Sequence, residues 1–245
     1  VRGPTLTNVD VGLDGKRSIG ANATGSMQYT LVPVDGAAPD TPQQYFIGGV
    51  LHYVDNGAKV DVPLLPARVT VFPAAKLNLD YFLQRDVIGD DPFTEAVEVP
   101  EPFALGLRVV NVGKGSASDL SITSAQPKII ENEKGLLINF QIIGSRVNDQ
   151  PIAPSLKVNL GNIEPLNTAT ATWNMVSSLQ GKFIEYSASF RHVDDLGNPR
   201  TSLIDSVDIH ELEHIVRVVD PADDSKPDFL ANDIPDPDNL PDRLW

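Results

Sequence analysis

Apolar and polar residues alternate in short runs along this 245-residue chain. In "TATATWNMV" the side chains of Thr168, Thr170 and Thr172 fall on one face, and those of Ala169, Ala171, Trp173 and Met175 on the other, because successive side chains of a strand point to opposite sides. The run predicts a strand with one wet face and one packed face, and it places Trp173 in a core. Comparable runs are "SMQYTLVP", "QQYFIGGVLHYV", "AKVDVPL", "ARVTVFP", "KLNLDYFL", "FALGLRVVNV", "DLSITSA", "GLLINFQIIG", "SLKVNLGNI", "KFIEYSASFRHV" and "SVDIHELEHIVRVV". Gly and Pro punctuate them at intervals of about ten residues, the pattern of an all-β chain.

No apolar stripe recurs at i, i+3, i+4 and i+7 over more than two turns. The nearest approach, "TEAVEVPEPFALGL", is broken by Pro100 and Pro102, since proline lacks the amide hydrogen and clashes with the preceding turn. Residues 84–102, "QRDVIGDDPFTEAVEVPEP", therefore read as a long connection that could carry a short helix or act as a binding loop. A domain boundary is expected near "VFPAAKL", where Pro73 ends one strand-like run and Leu77 begins another. Residues 1–74 and 75–219 are then two tandem antiparallel β-sandwich domains, the first truncated at its start. From Asp220 the composition turns to proline and aspartate, and residues 220–245 read as an acidic extended linker. Trp245 at its end is expected to anchor a following module.

Composition narrows the function. The 33 acidic residues exceed the 19 basic ones, for a net charge of -14, which repels nucleic acid and anionic membrane surfaces. No run reaches the roughly 20 apolar residues of a membrane helix. With no cysteine in the chain, disulfides, thiolate metal sites and cysteine nucleophiles are unavailable. The opening "VRGPTLTNVD" lacks a methionine, so the chain reads as a piece of something longer, with any export signal or anchor outside it.

Two stretches resemble a known kind of module. "ALGLRVVNVGKGSASDLSI" resembles the strand, Asn-x-Gly turn and strand of Ig-like modules of the bacterial cell-adhesion-related type, and "VNLGNIEPLNTATATW" resembles their strand ending in "LG.I.P" before an alternating threonine-rich strand. The resemblance covers about 120 residues and implies seven-stranded sandwiches serving as stalks, spacers or adhesive units of large bacterial surface proteins, with a neighbouring-strand pair bracketing "NVG.G.A.DL.I". It departs at Leu166 and Asn167, where such modules usually have glycine. Independently of the resemblance, Asn111, Gly113 and Gly115 supply residues tolerant of positive φ for a chain reversal.

One motif asks for chemistry. Residues 210–214 read "HELEH", the H-E-x-x-H pattern of zinc peptidases, in which a helix brings two histidines to one ion. Here β-branched flanks predict a strand, and residues four apart on a strand lie roughly 13 Å apart. Zinc at His210 and His214 is disfavoured on that ground. Calcium suits the plentiful oxygen ligands better: the candidates are Asp86, Asp90, Asp91 and Glu95 in the long loop, and Asp194, Asp195 and Asn198 in "HVDDLGN". Solvated turn carboxylates explain the same residues, and "DVGLDGKRSIGAN" lacks the spacing and terminal Glu of an EF-hand. Paired glycosidase carboxylates are not marked anywhere, and G-x-S-x-G, P-loop and Rossmann fingerprints are absent. Tyr45, Phe46 and Tyr53 are expected in a core, by the preference of large rings for burial.

The expectation is a non-enzymatic spacer and protein-protein interaction unit of a large extracellular or cell-surface protein. Its partners would be other modules of the same chain or a surface protein, and its only cofactor candidate is calcium. The alternatives are a carbohydrate-binding module, which needs exposed rings near a loop end, and a metal-dependent hydrolase, which needs a helical "HELEH".

Overall fold

The computed structural model describes residues 2–7, 19–34, 36–122, 138–182, 202–220, 223–232 and 240–245. Among them every regular element is a strand, and no helix is long and apolar enough to cross a membrane. The expected strand "KFIEYSASFRHV" lies outside this set except for Lys182. The chain divides into two compact units, Val1–Pro73 and Ala74–Trp245.

The first unit is built of two-stranded ribbons. Strand β1 (Arg2–Thr7) pairs with β2 (Ser26–Thr30). Strands β3 (Gln43–Ile47), β4 (Val50–Asp55), β5 (Ala58–Pro63) and β6 (Ala67–Val71) form one long hairpin, β4 pairing with β5 and β3 with β6. Its tip is Asn56–Gly57, with φ of 48° and 84°, which are the two positive values that a tight reversal matched to strand twist requires. Among the described residues of this unit only Ala38 is buried. Tyr45, Phe46 and Tyr53 are 41%, 70% and 46% exposed, so their expected core packing does not hold. Among the described residues of this unit no second layer covers their ribbon.

The second unit is layered. Its strands are β7 (Leu77–Leu83), β8 (Asp86–Val87), β9 (Phe103–Asn111), β10 (Ala117–Ile122), β11 (Phe140–Val147) and β12 (Gln150–Ile152). There follow β13 (Val158–Ile163), β14 (Thr168–Ser177), β15 (Gly181–Lys182), β16 (Ile204–Val216), β17 (Asp228–Asn232) and β18 (Arg243–Leu244). The main sheet runs β12-β11-β14-β9-β7-β16-β17-β18. Strands β10 and β13 pair separately and place Ala117, Val158, Leu160 and Ile163 against the inward faces of β7, β9 and β14. Two apposed layers around one apolar core make this unit compatible with a β-sandwich.

Alternation sorts the core as the sequence predicts. Leu77, Leu79, Tyr81 and Leu83 of β7, Leu105, Leu107 and Val109 of β9, and Ala169, Ala171, Trp173 and Met175 of β14 all enter it. Trp173 is fully buried and its Nε1 donates to the Ser155 carbonyl at 2.9 Å. Burial pushes the Tyr81 hydroxyl pKa up to about 12.

Four expectations need correction. The supposed wet face of β14 is covered, for Thr170 and Thr172 are buried. They sit beside Arg108 and Arg146 in the ladders, and arginine stems shield what lies under them. The sheet is also not wholly antiparallel, since β16 runs parallel to β7 from Ile204↔Leu77 to Glu211↔Leu83. No hairpin constrains two strands so distant in sequence. Next, β9 and β10 bracket "NVGKG" but belong to different ladders, so the turn carries the chain between layers rather than joining neighbours. Last, the segment read as an acidic linker supplies β17 and β18 to the sheet. Its few apolar residues are the reason: Phe229 and Ala231 are buried against Phe82 and Leu212 on the outer face.

Asn111 holds the layer crossing by its side chain and does not adopt positive φ. Its Oδ1 accepts from the amides of Gly113 (3.0 Å) and Lys76 (3.2 Å), and its Nδ2 donates to the carbonyls of Gly115 and Ile163, both at 2.8 Å. Gly113 is required by close approach, because a Cβ there would lie 2.4 Å from the Lys76 nitrogen. Leu166, where the resembled modules have glycine, does adopt a left-handed φ of 64°, a conformation bulky residues rarely take.

Candidate functional site

The "HELEH" motif lies inside β16, so its residues alternate instead of sharing a helical face. His210 turns to the outer face, where its Nε2 lies 3.2 Å from Asp80 Oδ1. Its ring stacks on Phe82 (centroids 5.1 Å) and meets the ring of Trp245 (4.4 Å, tilted 41°). Arg108 bonds the same Asp80 at 3.2 Å, and the guanidinium groups of Arg108 and Arg243 both approach the Trp245 ring, at 5.8 and 5.0 Å from its centroid. Trp245 therefore anchors on this sheet, held also by reciprocal backbone bonds with Phe229. Cation-ring contacts of this kind stabilise by roughly 0.5–2 kcal/mol.

Glu211 points elsewhere. It is buried and its Oε1 lies 3.0 Å from Arg85 Nε. His214 follows a register irregularity, stands opposite Leu230 and is exposed. The two histidines and the glutamate thus have three separate environments.

Burial raises the Glu211 pKa above its ordinary 4.5, against the opposing pull of Arg85. Its contribution to stability is then complete below the ordinary carboxylate value and is lost as pH rises through the raised one, because the folded state holds the proton longer. Wild-type melting temperature is expected to fall relative to that of Glu211→Gln as pH rises from about 4 to about 7. A constant difference between the two across that range contradicts the assignment.

The long loop uses its carboxylates on itself. Glu98, which the sequence did not single out, is the hub: its Oε2 accepts from the Asp91 amide (3.0 Å) and its Oε1 from the Thr94 hydroxyl (2.9 Å). These bonds lower the Glu98 pKa. Asp90 Oδ1 accepts from the Glu98 amide and Asp91 Oδ1 from the Phe93 amide. Asp86 faces Arg85 and Lys182, and Glu95 is exposed. The loop carries no helix. Among the described residues no three His, Asp or Glu side chains are placed to hold a metal ion. Asp194, Asp195 and Asn198 lie outside the described residues.

No protein-family model, no curated protein and no solved structure matches this chain. Its function has to be read from its own groups. The outer-face cluster of Asp80, Arg108, His210 and Trp245 supplies ion pairing and ring packing, and it tethers the last strands of the unit to the sheet. The first unit carries exposed apolar side chains on its ribbons. On the β4–β5 ladder Leu51, Tyr53, Val60 and Val62 share one face, while Val50, His52, Val54, Lys59 and Asp61 share the other; on the β3–β6 ladder Tyr45, Ile47 and Val69 share a face and Phe46 lies on the opposite one.

Proposed function

We propose that this chain is a non-enzymatic structural and protein-interaction unit of a large secreted or cell-surface protein, built from Ig-like modules. The second unit acts as a spacer and the first offers a contact face. The observation carrying the reading is the set of exposed apolar side chains on the long hairpin: Tyr45, Ile47 and Val69 on one face of the β3–β6 ladder, and Leu51, Tyr53 and Val62 on one face of the β4–β5 ladder, are each 38–46% exposed. A two-stranded ribbon in water is marginal on its own, and a clustered apolar face of this kind marks a protein contact. Neither face residues nor their cross-strand partners carry charge. The fitting partner is therefore an uncharged sheet face of another module or another copy.

The test is sedimentation of the full chain with a soluble tandem of the same modules, for wild type and Tyr53→Arg. Association that the arginine abolishes while circular dichroism stays unchanged is the expected result. Retention of association in Tyr53→Arg overturns the assignment of the face.

A glycan-binding reading draws on the same exposed rings. Tyr45 and Phe46 are consecutive on β3 and so point to opposite sides, which opposes a single stacking platform. Saturable binding on a glycan array that Tyr45→Ala removes would favour it.

A further inference from the structure

The spacer reading leaves open whether the second unit resists tension, and the strand order answers it. The chain enters the unit at Ala74 and runs directly into β7, a central strand bonded on one side to β9 and on the other to β16. Because β16 is parallel to β7, the start of β7 at Leu77 and the far end of the shared ladder at Glu211 lie at opposite ends of the pair. Tension drawing Leu77 one way and Glu211 the other slides the two strands along each other. Every ladder bond is then loaded together, instead of opening one after another as in a hairpin pulled from its ends.

Both ends of the ladder are fastened. At the entry, the Leu77 amide donates to the Leu203 carbonyl at 2.7 Å, just before β16. The entering residues are held in turn to the layer crossing: the Gly115 amide donates to the Ala74 carbonyl (3.1 Å), the Val112 amide to the Lys76 carbonyl (2.8 Å), and Asn111 Oδ1 receives the Lys76 amide. At the far end, Arg85 follows β7 by two residues and its Nε meets the buried carboxylate of Glu211 at 3.0 Å. This buried side-chain contact joins the end of one strand to the end of the other.

From these contacts we infer that the parallel β7–β16 pair is a shear clamp that makes the second unit load-bearing between Ala74 and Trp245. The strands beyond it open first. Strand β18 is short and lies at the edge of the sheet, paired to β17 through Leu230↔Leu244 and Ala231↔Arg243 and bonded by Phe229–Trp245 and Asp242–Ala231 backbone contacts, and β17 peels from its Asn232 end once β18 has gone. The Asp80, His210 and Trp245 cluster sets the resistance of this first step, and the ladder sets that of the second. The inference rests on the spacer reading only for its biological use.

The experiment is single-molecule extension of the full chain in two pulling directions. One direction uses handles at its two ends. The other uses the N-terminal handle with a thiol handle on Leu166→Cys, which is clean because the chain has no cysteine. Leu166 is exposed and precedes β14, whose start lies level with the start of β7 through β9, so this second direction pulls across the ladders. End-to-end pulling is expected to give an early release of residues 217–245, roughly 100 Å of chain. A second rupture then follows at a higher force than in the Leu166 direction, since forced unfolding is governed by the unfolding barrier and the ladder bonds are loaded together only in the end-to-end direction. Equal forces in the two directions, or a single rupture without the early step, overturn the clamp. Glycan binding by a chain that keeps the two-step, direction-dependent trace overturns the spacer reading and leaves the clamp standing.

Discussion

Asn111→Ala is expected to destabilise the second unit by about 4 kcal/mol, as four backbone groups in or near the interior lose their partner at once. Each buried donor or acceptor left unsatisfied costs about 1–3 kcal/mol, and those nearest the rim recover part of this from water. In a unit of this size the change corresponds to a fall in melting temperature of roughly 8–16 °C. The decisive comparison is Asn111→Gly. If the residue served the turn by tolerating unusual φ, glycine would substitute without loss. The side chain bonds to Gly113, Lys76, Gly115 and Ile163 predict instead that glycine is at least as harmful as alanine. Thermal melts of the two variants decide between these roles.

Gly106→Ala is expected to loosen the last strands of the chain while leaving the inner core in place. A Cβ at Gly106 would lie 2.4 Å from Phe229 Cε1 and 2.9 Å from its Cδ1. The ring has no room to retreat, being fully buried and stacked on Phe82 at 4.3 Å. Overfilling such a site costs about 1–3 kcal/mol, and the reverse change, Phe229→Ala, costs about 3–5 kcal/mol through the cavity it leaves. Since the two residues occupy one space, the double variant should be less unstable than the sum of the singles by about 1 kcal/mol or more. Trypsin provides a second readout, because Arg217 and Lys226 flank the connection into β17. Both singles should be cut there faster than wild type, and simple additivity with unchanged cleavage would contradict the packing.

The alternating runs carried most of the strand pattern, since burial on one side of a strand writes a period of two into the sequence. The inward face of β14, with Trp173 in the core, is the clearest case. What local periodicity could not convey is pairing between distant segments. The parallel match of β7 to β16 joins strands more than a hundred residues apart, and neither strand carries a mark of it. The burial of Thr170 and Thr172 depends likewise on arginines from neighbouring strands. Strand β17 was hidden by its surroundings: "DFLAN" is five residues long and lies between prolines and aspartates, so its only signal was Phe229 and Ala231 at a spacing of two. Asn111 shows a different limit, for its residue type suits a turn whether its backbone or its amide does the holding. In the candidate site, β-branched flanks correctly placed "HELEH" on a strand, whereas Asp80, Arg108, Glu98 and Trp245 gained their partners only through the fold.

The placing of "HELEH" in a sheet that continues through β17 underlies both the separation of its side chains and the anchoring of Trp245. Amide hydrogen exchange of the full chain, followed by mass spectrometry with and without added zinc, addresses this directly. Slow exchange across residues 207–211 and 228–232, unchanged by zinc, is the predicted result. Exchange of residues 228–232 as fast as that of an open linker, or zinc-dependent protection centred on His210 and His214, would contradict it.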